Sequence, residues 1–267
     1  MRKGNLFPEH IEETETMRNL IDFSGKKIIV AGASSGIGRQ TAIVLSTVGA
    51  RVILIARREE KLQETLRLLE GEGHSCYAAD LSDLEGIEPL FKRIYEEQGA
   101  SDGLVYCAGI NSTLPLQQLK PQKLQDVFQT NFFGFIETVR QAVRRGRFNE
   151  GMRIVAVSSN AAIRGDKAHT AYSSSKAAMN AAVRCLAKEL ADKGININAV
   201  SPAVTNTEIY RQYASESSDS EKALMERQYL GLIEPEDVAD SIVFLLSPAA
   251  KMITGTVLFV DGGLSSN

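Results

Sequence analysis

The chain has no tryptophan, and only three cysteines and three histidines among 267 residues. Cys76, Cys107 and Cys185 lie far apart, in no metal-ligand or redox spacing, and read as small buried apolar thiols in a reducing cytosol. His10, His74 and His169 are equally scattered. Zinc sites need clustered His, Cys or carboxylate ligands, so no metal is expected. No apolar run approaches the roughly 18 residues of a membrane span. The opening MRKGNLFPEHIEETETMRNLIDF starts basic but has no continuous apolar stretch, so it does not read as a secretory signal. Lys and Arg number 30 against 33 Asp and Glu, a net charge of −3, so no basic excess draws the chain to nucleic acid or an anionic membrane. The expectation is a cytoplasmic protein with neither kind of partner. What is present, 43% hydrophobic and 24% charged residues, suffices for a full core.

From Lys26 onward, short β-branched runs alternate with amphipathic stretches. Lys27–Ala31, Arg51–Ala56, Gly103–Cys107, Arg153–Val157, Ile195–Val200 and Thr256–Val260 read as strands, and His74–Ala79 as a weaker one. Strands that are apolar throughout imply burial on both faces, as in a parallel sheet. Helices are expected at Arg39–Val48, Glu59–Leu69, Leu84–Gln98, Lys123–Arg145, Ala171–Asp192 and Pro235–Leu246. This alternation predicts α/β architecture: a single doubly wound, Rossmann-type domain over 25–267, with a seven-stranded parallel sheet and helices on both faces. Residues 1–24 form an N-terminal extension. Residues 207–232, serine-rich and charged at the centre, break the pattern and read as a substrate lid. Tyr210, Tyr213, Leu224, Met225 and Tyr229 are its candidate pocket-facing members.

The first strand runs directly into Gly32-Ala33-Ser34-Ser35-Gly36-Ile37-Gly38, and a helical pattern follows. Gly32 permits the tight strand exit, Gly36 lets backbone approach a pyrophosphate, and Gly38 allows close helix–sheet packing. Free N–H groups at the helix N-terminus face the phosphates. Ser34 and Ser35 add hydroxyls for phosphate or ribose. At the end of the second strand, an acid would bind a ribose 2′-hydroxyl, but the chain has Arg57. An arginine grips a 2′-phosphate instead, which points to NADP(H).

Tyr172 and Lys176 stand four residues apart at the start of a helical pattern, so they share a face. A free tyrosine has a pKa of about 10. A neighbouring ammonium is expected to lower it, so that Tyr172 gives a proton to a carbonyl oxygen or takes one from an alcohol. Lys176 can also hold the nicotinamide ribose hydroxyls.

The GxxxGxG spacing, the Tyr-x-x-x-Lys pair, Asn131-Phe-Phe-Gly, Ser159 thirteen residues before Tyr172, and the closing Val260-Asp261-Gly262-Gly263 together resemble the classical short-chain dehydrogenase/reductase family. The likeness covers about residues 24 to 263, and 3-oxoacyl-acyl-carrier-protein reductases are the most similar members. The resemblance implies a catalytic set of Asn131, Ser159, Tyr172 and Lys176. Ser159 would orient the substrate oxygen, and Asn131 would kink its helix and hold a water linked to the lysine. It further implies that Ile37, Asp80, Leu81, Ala108, Gly109, Pro202, Thr205 and Thr207 line the cofactor, with Asp80-Leu81 at the adenine. Tyr106-Cys107 stand where the family usually has two asparagines, and Ala203 replaces a usual glycine. The implied activity is reversible reduction of a small-molecule carbonyl to a secondary alcohol by a homotetramer, with a dimer second. Alternatives are a sugar or polyol dehydrogenase of the same family, and an NADP-binding sensor or scaffold subunit without turnover.

Overall fold

A computed structural model describes residues 21–208, 210 and 228–266. Its seven strands are β1 (Lys27–Ala31), β2 (Arg51–Ala56), β3 (Ser75–Ala78), β4 (Ser101–Tyr106), β5 (Phe148–Val157), β6 (Asn196–Pro202) and β7 (Val257–Val260). They form one sheet in the order β3-β2-β1-β4-β5-β6-β7, and every pairing is parallel. Strand order reverses between β1 and β4. A crevice therefore opens there at the carboxyl ends of the strands, the usual ligand site of such sheets.

Alternation along the strands divides the core in two. Ile29, Ile53, Leu104, Ile154 and Ile197 face one layer, which packs on α3 (Leu84–Gln98), α5 (Gly134–Ala142) and α7 (Thr170–Leu190). Ile28, Val30, Val52, Val105, Val155 and Val200 face the other, which packs on α1 (Gly36–Thr47), α2 (Glu59–Leu66) and α8 (Pro235–Leu246). Burial of both faces explains the near-continuous apolar strands. α8 starts sharply because Pro235 stands in its first turn, where its missing N–H is not needed, and Glu234 and Asp237 form a capping box.

Four expectations are corrected. The stretch Lys123–Arg145 is not one helix but α4 (Pro121–Phe128), a π turn at Gln129–Phe133, and α5. β5 begins at Phe148 rather than Arg153: Gly151 takes a φ of 76°, and the register against β4 shifts between Ser101 and Gly103. The core begins at Phe23, before residue 25, because Phe23 is buried and its N–H bonds the Val48 carbonyl at 2.9 Å. Cys185 is exposed on α7 and Cys76 is half-buried, so neither is the buried thiol expected. Residues 1–20 of the N-terminal extension lie outside the described residues, as does most of the expected lid, including Tyr213, Leu224 and Met225.

Candidate active site

The glycine turn between β1 and α1 is held against the end of β4 by close backbone contact. Gly32 has a φ of 90°, and a Cβ there would lie 2.5 Å from the Ala108 nitrogen. A Cβ on Gly38 would lie 2.2 Å from the Gly32 carbonyl oxygen. These positions admit only glycine, as the turn's sequence implied. Gly36, φ 54°, faces Thr207, whose methyl would be 3.3 Å from a Cβ. The turn and the segment after β6 thus close on the same space. Pro202 ends β6, and its carbonyl accepts the Asn160 N–H at 3.0 Å, joining that segment to Ser159. Thr205 is buried and bridges to Ile233.

At the end of β2, Arg57 lies 3.8 Å from the Asp80 carboxylate, both well exposed. Asp80 also accepts from the Ser82 N–H and hydroxyl, at 2.9 and 2.7 Å. Leu81 is buried beside Gly134, whose Cβ position is 2.3 Å from the Leu81 carbonyl oxygen. Two further arginines border the turn. Arg58 donates to the Ser35 hydroxyl at 3.4 Å, and Arg39 donates to the Ser34 carbonyl at 2.7 Å. Sequence reasoning missed both. The Arg57-Arg58 pair was a visible signal, but Arg39 is one ordinary helical arginine until the turn folds back on it.

Across the crevice, Tyr172 stands in the first turn of α7 with Lys176 one turn further on. Lys176 is buried, and its Nζ donates to the Val157 carbonyl at the end of β5 at 2.7 Å. Asn131 is fully buried in the π turn. Its Oδ1 accepts the Ile110 N–H at 2.8 Å, and its Nδ2 donates to the Ile110 carbonyl and the Ser175 hydroxyl, each at 3.0 Å. A Cβ on Gly109 would be 3.2 Å from Asn131 Oδ1 and 3.5 Å from Lys176 Nζ. Ser159, buried at the close of β5, accepts the Ala161 N–H at 3.2 Å. The structure therefore brings Asn131, Ser159, Tyr172, Lys176 and Gly109 to one end of the sheet.

The electrostatics correct one expectation. Burial raises the Tyr172 phenol above its ordinary value, and a hydrogen bond with Ser159 opposes this only partly. The lowering expected from the lysine does not outweigh burial, because the Lys176 ammonium is turned toward Val157 and sits 5.9 Å from the centre of the Tyr172 ring. Burial instead lowers Lys176 itself, from 10.5 to about 8. The Cys107 thiol is pushed up to about 12 by burial, which leaves it an inert neighbour.

The loop after β4 and the loop before α7 are clasped together. The Leu114 N–H bonds the Ala168 carbonyl at 2.8 Å, and Thr113 Oγ1 bonds His169 Nε2 at 3.1 Å. Ala168 has a φ of 63°, a conformation held by no other non-glycine among the described residues. The His169 ring lies edge-on to Tyr172 with centroids 6.4 Å apart. His169 looked unremarkable in the sequence, since nothing local announces a partner 56 positions away. Tyr229, expected to face the pocket, is instead exposed and lies against Gly263.

A family model described as enoyl-(acyl carrier protein) reductase matches residues 32–265. L-xylulose reductase of Caenorhabditis elegans is 34% identical over 248 residues, 92% of this chain and 98% of that protein. The 3-oxoacyl-acyl-carrier-protein reductase of Vibrio harveyi is 33% identical over 246 residues, 91% of this chain and 99% of the relative. A crystal structure of a dehydrogenase/reductase from Sinorhizobium meliloti 1021 superposes with a TM-score of 0.86 at 32% identity, covering 94% of this chain and 99% of that one. No described helix is long and apolar enough to cross a membrane. A glycine turn that only glycine can make, and an Asn, Ser, Tyr and Lys gathered opposite it, run through a chain matched over nearly its whole length; it belongs to the classical short-chain dehydrogenases/reductases, NAD(P)(H)-using oxidoreductases acting on alcohol and carbonyl groups.

Proposed function

We propose that this chain is an NADP(H)-dependent carbonyl reductase whose working residues are Asn131, Ser159, Tyr172 and Lys176. The observation that carries the proposal is the convergence of Asn131 Oδ1 and Lys176 Nζ on the empty side of Gly109. A lysine this deeply buried is destabilising, and a fold retains it where its charge has work to do. The nucleotide fits the crevice, because Gly32 and Gly38 let the turn pack tightly against the end of β4 and Gly36 presents bare backbone at the start of α1. Gly32, Ser34, Ser35, Gly36 and Ile37 would hold its phosphates, Arg57 its 2′-phosphate, and Asp80 and Leu81 its adenine. Ala108, Gly109, Pro202, Thr205 and Thr207 would hold the nicotinamide end. When bound, the nicotinamide supplies hydride to the carbonyl carbon.

The chain's own residues supply the proton and the orientation. Ser159 and Tyr172 hydrogen-bond the carbonyl oxygen, and Tyr172 delivers its phenolic proton to it as the alcohol forms. Lys176 offsets the charge left on the phenolate, and Asn131 ties the relay to the loop that carries Gly109. The raised phenol keeps Tyr172 protonated near neutral pH, the form in which a reduction begins.

Within this activity, a small polar carbonyl such as a ketose fits better than a carrier-bound 3-oxoacyl chain. The Ser112 hydroxyl and His169 Nδ1 are buried with no partner, on either side of the Thr113 clasp. Both are enclosed as the loops stand, so hydroxyls beside the reacting carbonyl would reach them as the Thr113–His169 clasp opens. Two of the three arginines near the start of β5 are engaged: Arg144 pairs with Glu88 at 2.6 Å, and Arg147 donates to Gln141 Oε1 at 2.8 Å, while Arg145 is exposed. The homotetramer fits the apolar surface left on α4 and the π turn, where Leu124 and Phe133 are exposed beside Phe128 and Phe132. The test is NADPH oxidation against ketoses, small diketones and 3-oxoacyl thioesters, alongside light scattering. Turnover of thioesters alone would overturn the substrate reading. No turnover of any carbonyl, with NADPH bound, would favour the sensor or scaffold reading.

A further inference from the structure

The π turn that carries Asn131 is anchored from behind by Tyr106. This residue ends β4 and is fully buried, and its hydroxyl donates to the Thr130 carbonyl at 2.6 Å. Thr130 immediately precedes Asn131 inside the turn. The Tyr106 ring packs edge-on against Phe135, centroids 5.5 Å apart. A Cβ on Gly134 would lie 2.8 Å from the Tyr106 hydroxyl and 2.3 Å from the Leu81 carbonyl oxygen, so only glycine lets the turn seat on both. Gln129, at the other end of the turn, donates to the Ser82 carbonyl at 2.9 Å.

We propose that Tyr106 is a positioning residue, whose hydroxyl sets the π turn and thereby aims the Asn131 amide at Ile110 and Ser175. The inference rests on Asn131 belonging to the working site. A π turn places one extra residue in the helix, and such turns persist where outside contacts hold them. Tyr106 is the side chain that reaches the Thr130 carbonyl from the sheet, one residue from the amide that must be aimed. Burial keeps the phenol protonated, so it remains a donor at any working pH. The polar atoms flanking Asn131 are the Ile110 backbone, the Ser175 hydroxyl and Lys176 Nζ, whereas the Tyr106 hydroxyl bonds the Thr130 carbonyl instead. Loss of the hydroxyl would therefore free the turn without altering those partners' chemistry.

The test is Tyr106→Phe, measured beside Asn131→Ala, the double variant, and Phe135→Leu, which loosens the same packing but keeps the hydroxyl. Tyr106→Phe should lower kcat about tenfold with KM for NADPH unchanged, because misplacement of a positioned group acts on the chemical step. The double variant should be no slower than Asn131→Ala alone, and Phe135→Leu should keep kcat. Without nucleotide, amides at 129–135 should exchange hydrogen faster in Tyr106→Phe. If Tyr106→Phe does not fold, Tyr106→Met fills the space without a donor and is read the same way. Full kcat in Tyr106→Phe, or losses that multiply in the double variant, would overturn the inference. Full kcat in Asn131→Ala would instead overturn the assignment of Asn131 on which it rests.

Discussion

Replacing Lys176 with Met should make the free protein more stable at neutral pH while destroying its activity. The lysine is buried, and burial lowers its pKa from 10.5 to about 8. The folded state thus binds fewer protons than the unfolded state between those values. The destabilisation is fully present below about pH 8, shrinks as pH rises through the window, and vanishes above about 10.5. The fall from 10.5 to about 8 corresponds to about 3 kcal/mol. Methionine fills similar space without charge, but gives up the hydrogen bond to the Val157 carbonyl, about 1 kcal/mol. The net gain for Lys176→Met is about 2 kcal/mol at pH 7, which corresponds to about 5 °C in Tm. It should fall to zero near pH 10 and turn into a small loss beyond, by the linkage relation. Urea unfolding of both proteins without nucleotide, at pH 7 and 9.5, measures it. A variant less stable than the parent at pH 7, or a difference that does not change with pH, would refute the account of Lys176 as a charge held against its solvation preference.

Three other outcomes are expected. Tyr172→Phe keeps the ring but removes the proposed proton donor, so kcat should fall by about 10² to 10⁴, with NADPH binding retained by fluorescence titration. Arg57→Asp puts a negative charge beside Asp80 where a 2′-phosphate would sit, so an NADPH preference of about tenfold or more should disappear or reverse when dissociation constants for NADPH and NADH are compared. Gly32→Ala and Gly146→Ala both place an alanine at a positive φ, but only the first drives a methyl into backbone; Gly146 has open space around its Cβ position. Gly146→Ala should lower stability by about 1 kcal/mol in thermal unfolding and Gly32→Ala by several-fold more, with loss of nucleotide binding.

The sheet could be read from the sequence because burial on both faces leaves a plain mark. Ile28 to Val30 and Val52 to Ile55 are apolar at every position, and each alternate side chain goes to a different layer. The π turn left no such mark. Its apolar spacing runs smoothly from Val127 to Phe135 and Val139, all in the core, so one helix was the natural reading of Lys123–Arg145. Only the resemblance suggested a kink at Asn131. Motif residues of the site were legible for the same reason that strands were: the glycines and the Tyr172–Lys176 pair carry their geometry in local spacing. Arg58, His169 and Tyr106 were not, because each acts through a contact with a distant segment, at Ser35, Thr113 and Thr130.

Unfavourable features gather at the crevice, though not only there. Away from it, Glu234 and Asp237 satisfy the start of α8, while Ser75 and Thr138 keep buried hydroxyls without a partner. Near the crevice stand a lysine lowered by burial, a left-handed alanine at Ala168, and buried polar atoms on Ser112 and His169 without partners. None of these helps the free protein fold. Most lie in loops or at the first turns of α7, supported by the rigid ends of β4 and β5. The sheet thus supplies the stability that lets the loops hold groups in unfavourable states, and a ligand with a carbonyl oxygen and neighbouring hydroxyls is the kind that would relieve them.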